Sequence, residues 1–299
     1  MAEFRSGYVA LIGAANVGKS TLMNHILQQK ISITSPKAQT TRNRILGILT
    51  RPDCQMIFLD TPGIHRAQDS FNKILLQTAL AALREVDVIC FVVEAGEAHR
   101  EINQYALQFL SHIRTPVILA INKIDLVRKT DLLPIMDRYR GLRPFHAIVP
   151  ISALLGDGVA QLLAEALGCL PEGPKYYPDD SLTDQPERFL VAELIREKVF
   201  HLTRQEIPYA IAVSIDTFHE DEGSRRIDIE ATIHVERSSQ KGILIGKKGE
   251  MLKEIGKLAR QDIERMLGCH VFLGLFVRVQ KNWRKDPRVL AEFGFDTRE

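Results

Sequence analysis

The sequence has few or none of the features that mark several special classes of protein. Its 299 residues include only four cysteines, and no two of them form a C-x-x-C pair, so we expect reduced thiols in a cytosolic protein and no structural zinc. No apolar run approaches the ~18 residues that a membrane span needs, and there is no lipidation motif. Because the first core strand is predicted to begin near residue 7, we also expect no cleaved signal peptide. The 45 % of hydrophobic and 25 % of charged residues are typical of an ordinary soluble protein.

The net charge of +2 indicates no particular partner, but the charge is unevenly distributed. Residues 241–288 contain twelve Lys or Arg and five Asp or Glu, which gives +7 in this segment and −5 in the remainder. A locally basic segment in a nearly neutral chain indicates a face that binds a polyanion. A solvated helix face is the alternative explanation.

Short apolar runs alternate with helical patterns over the first 169 residues. Runs such as "VDVICFVV" and "PVILAI" are almost continuously hydrophobic, which is typical of a parallel sheet covered on both faces. The predicted strands are Tyr8–Ile12, Arg44–Thr50, Met56–Asp60, Val88–Glu94, Val117–Asn122 and Ile148–Ile151. The predicted helices lie near 20–28, 71–84, 100–111 and 159–168.

The composition changes at "LPEGPKYYPDDSLTDQP", which has four prolines and no periodicity. We therefore predict an α/β domain over 1–170, a linker over 171–186 and a smaller α+β domain over 187–299. The order predicted for the second domain is α-β-β-α-α-β. Its predicted elements are Phe189–His201, Tyr209–Thr217, Arg226–Val235, two helices around 239–267, His270–Gln280 and a short helix after Pro287.

The segment "GAANVGKS" has the spacing G-x-x-x-x-G-K-[ST] and stands between a predicted strand and a predicted helix. Gly13 and Gly18 let the backbone turn so that successive N–H groups face a phosphate chain. Lys19 would neutralise the β and γ oxygens, the Ser20 hydroxyl would ligate Mg²⁺, and Thr21 would reach an α-phosphate. A plain strand-to-helix turn is the alternative explanation.

The motif "DTPG" follows the apolar strand "QMIFL". An acidic residue at the carboxyl end of a strand, in the same sheet as a phosphate loop, can hold Mg²⁺ through a water molecule, and this role is predicted for Asp60. The backbone N–H of Gly63 would bond a γ-phosphate. Without a phosphate loop in the same chain, the motif would more often be an ordinary turn.

The motif "NKID" follows "PVILAI" and predicts which base is bound. The carboxylate of Asp125 can accept hydrogen bonds from guanine N1–H and from its 2-amino group, neither of which adenine offers. Lys123 would lie along the base and Asn122 would brace the loop, while "ISAL" offers a backbone N–H near Ala153 for guanine O6. The residues predicted to contact the nucleotide are Gly13, Ala14, Ala15, Asn16, Val17, Gly18, Lys19, Ser20, Thr21, Asp60, Thr61, Pro62, Gly63, Asn122, Lys123, Asp125, Ser152, Ala153 and Leu154.

These motifs, in this order, resemble the translation-factor class of small GTPases. The resemblance implies that a threonine of "QTTR" is the second protein ligand of Mg²⁺, and we favour Thr41 over Thr40 because the family pattern places threonine directly before arginine. It also implies a potassium ion at Asn16, for which an Asx turn is the alternative explanation. Ile64 stands where Ras-like proteins have the glutamine that orients water, so we expect slow unaided hydrolysis. The predicted catalytic residues are Lys19, Thr41 and Gly63.

The basic segment contains Gly246, Lys247, Lys248 and Gly249 between an apolar "ILI" and a long amphipathic pattern. This arrangement resembles a KH domain, whose G-x-x-G loop joins two helices and clamps a nucleic-acid backbone. The resemblance implies close approach at the two glycines and phosphate contacts by the two lysines. The apolar residues predicted to form a helical core stripe here are Ile245, Leu252, Ile255, Leu258, Ile263 and Leu267.

A GTPase domain, a proline-containing linker and a C-terminal KH module together resemble the Era family over essentially the whole chain. The resemblance implies a P-loop GTPase domain with a mostly parallel sheet, followed by a smaller α+β KH-type domain. It implies GTP or GDP and Mg²⁺ as cofactors with K⁺ as a further ion, and binding near the 3′ end of 16S ribosomal RNA during maturation of the 30S subunit. It also implies a cytoplasmic monomer that associates loosely with the inner membrane.

Three other functions remain open from the residues alone. An ATP-using metabolic enzyme is disfavoured by N-K-x-D, and an RNA-binding protein with a vestigial nucleotide fold is disfavoured by the intact Lys19, Ser20 and Asp60. In a membrane-signalling GTPase, the basic segment would meet anionic lipid instead of RNA.

Overall fold

The computed structural model describes residues 3–35, 37, 39–66, 70–96, 100–221 and 226–295, the side chains of Arg100 and Asp221 excepted. The chain divides into two compact units. The first comprises the residues up to Ser32 and Thr41–Asp184, and the second comprises Ile33–Thr40 and the residues from Gln185 onward. The segment Ile33–Thr40 was not expected to group with the C-terminal part.

The first unit is built on a six-stranded sheet of order β2-β3-β1-β4-β5-β6. Its strands are β1 Arg5–Ile12, β2 Ile45–Arg51, β3 Cys54–Asp60, β4 Val88–Glu94, β5 Val117–Asn122 and β6 Ala147–Pro150. Only β2 is antiparallel to its neighbour, because a connection of two residues joins it to β3, whereas parallel neighbours need a longer crossover. The carboxyl ends of β1, β3, β4, β5 and β6 therefore meet at one edge of the sheet, where ligands bind in open α/β folds.

Within the described part of this unit, four α-helices connect strands and a fifth follows β6. They are α1 Lys19–Leu27, α2 Ser70–Ala81, α3 Arg100–Leu110, α4 Lys129–Arg140 and α5 Val159–Cys169. The sequence patterns predicted all of them except α4, which is polar overall and contains Pro134, a residue that usually interrupts a helix. Its inner face is nevertheless anchored by the buried Tyr139, whose hydroxyl accepts a hydrogen bond from Asn103 of α3 at 2.9 Å.

The centre of the sheet is the core of this unit. Every residue of β3 and β5 is buried, and β4 is buried up to its last residue. This explains why their hydrophobic runs are almost continuous in the sequence. Cys90 lies in this core, and burial raises the pKa of its thiol to about 12, as expected for an inert, reduced cysteine.

The segment predicted as a linker is hydrogen-bonded to the first unit along much of its length. The side-chain oxygen of Gln55 accepts from the backbone N–H groups of Tyr176 and Tyr177, at 2.7 and 2.9 Å. Further along, the carbonyl oxygen of Leu182 accepts from the N–H of Ile48 at 2.8 Å. The outer edge of β2 is thus partly covered by this segment instead of being left as an open strand edge.

The second unit has a three-stranded sheet of order β7-β8-β9, with β7 and β8 antiparallel and β8 and β9 parallel. The strands are β7 Ala212–Asp221, β8 Arg226–Val235 and β9 His270–Val279, and the helices are α6 Glu187–Leu202, α7 Ser238–Ile245, α8 Glu250–Leu267 and α9 Pro287–Glu292. This is the predicted α-β-β-α-α-β order with a final short helix. The first strand begins later than predicted because a 3-10 helix occupies Ile207–Ala210, with Pro208 in its first turn. In the predicted stripe Ile255 and Ile263 are fully buried, together with Ala259.

Within the second unit, described residues of Ile33–Thr40 are hydrogen-bonded to α6. The carboxylate of Glu197 accepts from the N–H of Thr34 at 3.1 Å, and the ring of His201 is hydrogen-bonded to the carbonyl oxygen of the same residue at 2.9 Å. The guanidinium of Arg196 donates to the carbonyl oxygen of Thr40. Arg196 and Glu197 are buried, and these hydrogen bonds give their charged groups partners away from water.

Candidate functional site

The phosphate-loop motif occupies the turn between β1 and α1. Lys19, at the first position of α1, is buried, and its Nζ donates to the carbonyl oxygens of Gly13 at 3.1 Å and Ala14 at 2.8 Å. Burial lowers the pKa of Lys19 to about 8, and the carboxylate of Asp60 opposes this change. The loop therefore carries a cation at its centre, next to the helix N-terminus, where an anion is favoured.

Three side-chain oxygens from different segments meet beside this lysine. Ser20 Oγ donates to Asp60 Oδ2 at 2.6 Å, Thr41 Oγ1 donates to the same oxygen at 3.2 Å, and the two hydroxyl oxygens are 2.9 Å apart. Asp60 is completely buried. Burial raises its pKa, and the positive charge of Lys19 together with hydroxyl groups of Ser20, Ser32 and Thr41 opposes that rise.

These oxygens fit a magnesium ion. Mg²⁺ takes hard oxygen ligands and is commonly held by one or two protein groups together with substrate phosphates. Asp60 Oδ1 is buried and makes no hydrogen bond within the described residues, so one carboxylate oxygen is available. Of the two threonines of the motif, Thr41 brings its hydroxyl to Asp60, whereas the carbonyl oxygen of Thr40 is bonded within the second unit.

The residues after Asp60 are tied to β1 and to the phosphate loop. Thr61 Oγ1 donates to the carbonyl oxygen of Leu11 at 2.8 Å, and the N–H of Ile64 donates to that of Gly13 at 2.9 Å. Gly63 packs directly against Ala15, where a side chain would not fit. Ile64 is 1 % exposed, so its side chain belongs to the core and cannot orient a water molecule at the phosphates.

The predicted base-binding motifs also meet. The N–H of Ala153 donates to Asn122 Oδ1 at 2.9 Å, and Ser152 Oγ donates to Asp125 Oδ1 at 2.6 Å. This second bond orients the carboxylate that would read guanine. Leu154 is 71 % exposed and is thus available to cover a base.

One residue of this site was not predicted. Glu94, the last residue of β4, accepts from Lys123 Nζ at 2.8 Å, and Lys123 itself has a left-handed backbone with φ 65°. Because β4 and β5 are adjacent and parallel, Glu94 is paired in register with Asn122. An acidic residue at the end of a predicted central strand was the available signal.

In the second unit, the G-x-x-G motif forms the turn between α7 and α8. Gly246 has φ 73°, and a Cβ there would lie 2.8 Å from the Cβ of Met251. Lys247 and Lys248 are exposed at the tip of the turn. The turn therefore presents two cations and a backbone without bulky side chains, which suits a phosphate chain.

A groove of about 610 Å³ runs from this turn along α8 and β9. Its walls combine positive charge with apolar surface, and sequence reasoning did not identify it. The residues that line it are Gly249, Leu252, Lys253, Gly256, Lys257, Arg260, Leu273 and Leu275. The helical spacing of Lys253, Lys257 and Arg260 was the signal that could have located it. Leu252, predicted as core, lies on its wall.

The comparisons with known proteins match both units of the chain. A family model described as 50S ribosome-binding GTPase matches residues 8–123, and a KH domain model matches residues 206–284. GTPase Era from Geotalea uraniireducens is 55 % identical over 294 residues, which cover 98 % of this chain and 99 % of that protein. The chain belongs to the GTPase Era family. Its predicted fold class and family are thereby confirmed.

Other proteins similar to this chain are also Era proteins. GTPase Era from Geobacter metallireducens is 54 % identical to this chain over 292 residues, which cover 98 % of each protein. A crystal structure of Era in complex with MgGDPNP and nucleotides 1506–1542 of 16S ribosomal RNA is 43 % identical, with a TM-score of 0.95 over 98 % of this chain and 99 % of that one. An Era variant from Aquifex aeolicus bound to GDP·AlF4⁻ superposes with a TM-score of 0.94 at 43 % identity, again over 98 % and 99 % of the two chains. Among the residues that the structure describes, no helix has both the length and the apolar character needed to cross a membrane.

Proposed function

We propose that this protein is a GTP-hydrolysing, RNA-binding switch that acts on the 3′ end of 16S ribosomal RNA and assists maturation of the 30S subunit. The observation that carries the proposal is the convergence of four separate motifs at one edge of the first sheet, with a basic KH groove in the second unit. Relatives support it, because Era has been crystallised with MgGDPNP and a 16S ribosomal RNA fragment, and at 43 % identity the fold matches over nearly the full length.

In the nucleotide site, Lys19 would bind the β and γ phosphate oxygens, and Ser20 and Thr41 would ligate Mg²⁺, which supplies charge neutralisation when bound. Asp60 would contact the ion through water. The N–H of Gly63 would bond the γ-phosphate. Because Ile64 is buried, the attacking water has no side-chain partner at that position, which supports slow unaided hydrolysis.

Guanine would be recognised by the carboxylate of Asp125, oriented by Ser152. The remaining predicted contacts are assigned to the backbone of the phosphate loop and to Lys123 and Ala153. Comparing GTP with ATP in a binding assay tests this assignment against an ATP-using enzyme, since adenine offers the carboxylate no donor at N1.

A potassium ion at Asn16 is the finer part of the cofactor proposal. The backbone of Asn16 is left-handed, with φ 65°, and Asn adopts this conformation more readily than most residues. That geometry suits a side chain turned towards the phosphates, and it suits an Asx turn equally. Measuring GTP hydrolysis in sodium and in potassium salts distinguishes a potassium site from an Asx turn.

RNA binding is assigned to Gly246, Lys247, Lys248 and Gly249 and to the adjoining groove. We also propose that the protein is a cytoplasmic monomer with at most peripheral contact with the inner membrane. If anionic lipid is the partner of the basic segment, the protein should float with vesicles after RNase treatment. If RNA is the partner, RNase should release it.

The decisive experiment replaces Lys247 and Lys248 together with aspartate and measures RNA binding against salt concentration. Each lost phosphate contact should lower the magnitude of the log–log salt slope by about 0.7 for single-stranded RNA. Affinity should therefore fall by orders of magnitude at low salt and by less at high salt, while GTP binding stays unchanged.

The matched control replaces Lys281 and Lys285 with aspartate, which changes the charge of the same unit equally outside the turn and groove. This control variant should weaken RNA binding much less than the change of Lys247 and Lys248 does. Equal losses in both double variants would indicate a diffuse electrostatic attraction rather than a clamp. Retained RNA binding in both would place the RNA site elsewhere.

A further inference from the structure

A side chain of α1 that no motif includes fixes the backbone just after that helix. Asn24 Nδ2 donates to the carbonyl oxygen of Ser32 at 2.7 Å, and Asn24 Oδ1 accepts from the N–H groups of Ile31 and Ser32, both at 2.9 Å. Three hydrogen bonds to two consecutive residues leave this backbone little freedom. The placement of Ser32 is therefore set from α1.

The helix that holds Ser32 also carries a predicted magnesium ligand. Ser20 and Asn24 are four residues apart in α1, so both lie on the same face of the helix. Ser20 reaches Asp60, and Asn24 reaches Ser32. One rigid turn of helix thus positions both serines relative to the same carboxylate.

Ser32 and Asp60 each have a buried oxygen that is not satisfied. Ser32 is 1 % exposed, and within the described residues neither its Oγ nor Asp60 Oδ1 makes a hydrogen bond of normal geometry. Burial raises the pKa of Asp60, and the nearby Ser32 hydroxyl is one of the groups that oppose this rise, so the two side chains lie close together. Buried donors and acceptors without partners are rare because they are costly, so these two neighbouring atoms are candidates to bond to each other.

We propose that Ser32 is a positioning residue for the magnesium site: its hydroxyl, placed by Asn24, donates to Asp60 Oδ1 and orients the carboxylate towards the ion. Asp60 Oδ2 remains with Ser20 and Thr41, and Oδ1, which can accept two hydrogen bonds, keeps one position for a water molecule bound to the ion. Ser32 touches neither the nucleotide nor the reacting atoms in this proposal and acts only through Asp60. The inference rests on the assignment of Mg²⁺ to Ser20, Thr41 and Asp60 made under the proposed function.

The test measures how much Mg²⁺ is needed to slow the release of a fluorescent GDP, a readout that does not depend on hydrolysis. For Ser32→Ala, we expect the half-effective Mg²⁺ concentration to rise about fivefold or more, because one hydrogen bond to a charged group is lost. Ser32→Cys keeps most of the side-chain volume with a weak donor and should raise it in the same direction. Release without Mg²⁺ should be unchanged in both variants.

Ser6→Ala is the matched control. Ser6 is equally buried in the first unit, but its hydroxyl donates to the carbonyl oxygen of Pro174, away from the nucleotide site. This variant should leave the Mg²⁺ requirement at its wild-type value. Asn24→Ala should raise the requirement as Ser32→Ala does, and combining the two should add nothing further, since both act through one bond.

Asp60→Asn separates failure of this inference from failure of the proposed magnesium site. If Asp60→Asn leaves the Mg²⁺ requirement unchanged, the metal assignment itself is wrong. If Asp60→Asn raises the requirement but Ser32→Ala and Ser32→Cys do not, Ser32 has no positioning role. An equal rise in Ser6→Ala, or additive effects of the Asn24 and Ser32 changes, would also overturn the proposal.

Discussion

The side-chain amide of Asn122 is hydrogen-bonded to the backbone of Val17, with Nδ2 2.7 Å from the carbonyl oxygen. Its oxygen accepts from the N–H of Ala153, so one amide connects the base-binding loops to the phosphate loop. The contact leaves no space at Gly18, where φ is 98° and a Cβ would lie 2.2 Å from Asn122 Nδ2. The two halves of the nucleotide site are therefore linked directly through the side chain of Asn122.

Replacing Asn122 with alanine should weaken GTP and GDP binding more than tenfold. Two buried backbone groups lose their partner, which should lower the free energy of unfolding by about 1–3 kcal/mol for each. Titration calorimetry and thermal unfolding measure the two effects. Asn103→Ala, which removes an equally buried amide bonded to Tyr139, should cost stability but not GTP affinity. Normal GTP affinity in Asn122→Ala would contradict the proposed linkage.

The change Asp125→Asn should exchange guanine for xanthine as the preferred base. Xanthine carries a carbonyl where guanine has its 2-amino group, so the new amide can donate to it. Two hydrogen bonds to a carboxylate are lost for GTP, at about 1.5–3 kcal/mol each. Competition between GTP and XTP for the variant measures the exchange, and Asp131→Asn on α4 is the control. GTP binding as tight as in the wild type would refute the assignment of Asp125.

If Asn16 places a potassium ion, GTP hydrolysis should be faster in KCl than in an equal concentration of NaCl. Asn16→Ala should remove this difference while GDP still binds, because the phosphate-loop backbone and Lys19 are retained. Phosphate release in the two salts measures it. Equal rates in the wild-type protein would exclude the potassium role and leave the magnesium site unaffected.

The stability of the second unit should fall as the pH drops below about 6.5, the usual pKa of an unfolded histidine. His234 is hydrogen-bonded to Ser214 and Gln280. Burial lowers the pKa of His234, and Arg278 adds to this effect, whereas Gln280, Asp216 and Glu292 oppose it. A lowered folded-state pKa means that the unfolded chain binds more protons in this range. The loss can reach at most about 1.4 kcal/mol for each pH unit.

Thermal unfolding at pH 7.5 and 5.5 tests this expectation. The difference between the two pH values should be smaller in His234→Gln than in the wild type. His219→Gln, at an exposed position of β7, should leave the difference as it is. An unchanged difference in His234→Gln would show that other groups cause the acid sensitivity.

Much of the fold could be predicted because the hydrophobic pattern that indicates each strand or helix lies within a few consecutive residues. The bounds of β4 and β5 match the predicted strands at both ends, since strands buried on both faces are continuously hydrophobic. The helix α4 was not predicted, because its sequence is polar and contains Pro134. Only one buried side chain and a few partly buried ones anchor it. There, packing against α3 overrides the local preference.

The sequence by itself determined the two folds, the phosphate loop and the base-binding motif. In those places a short stretch of backbone must adopt one geometry, and only certain residues at certain spacings permit it. Only the tertiary structure decided which distant side chains meet: Glu94 with Lys123, and the basic face of α8 with the apolar β9. Those pairings depend on strand register and on how helices pack over many residues, and no local spacing encodes them.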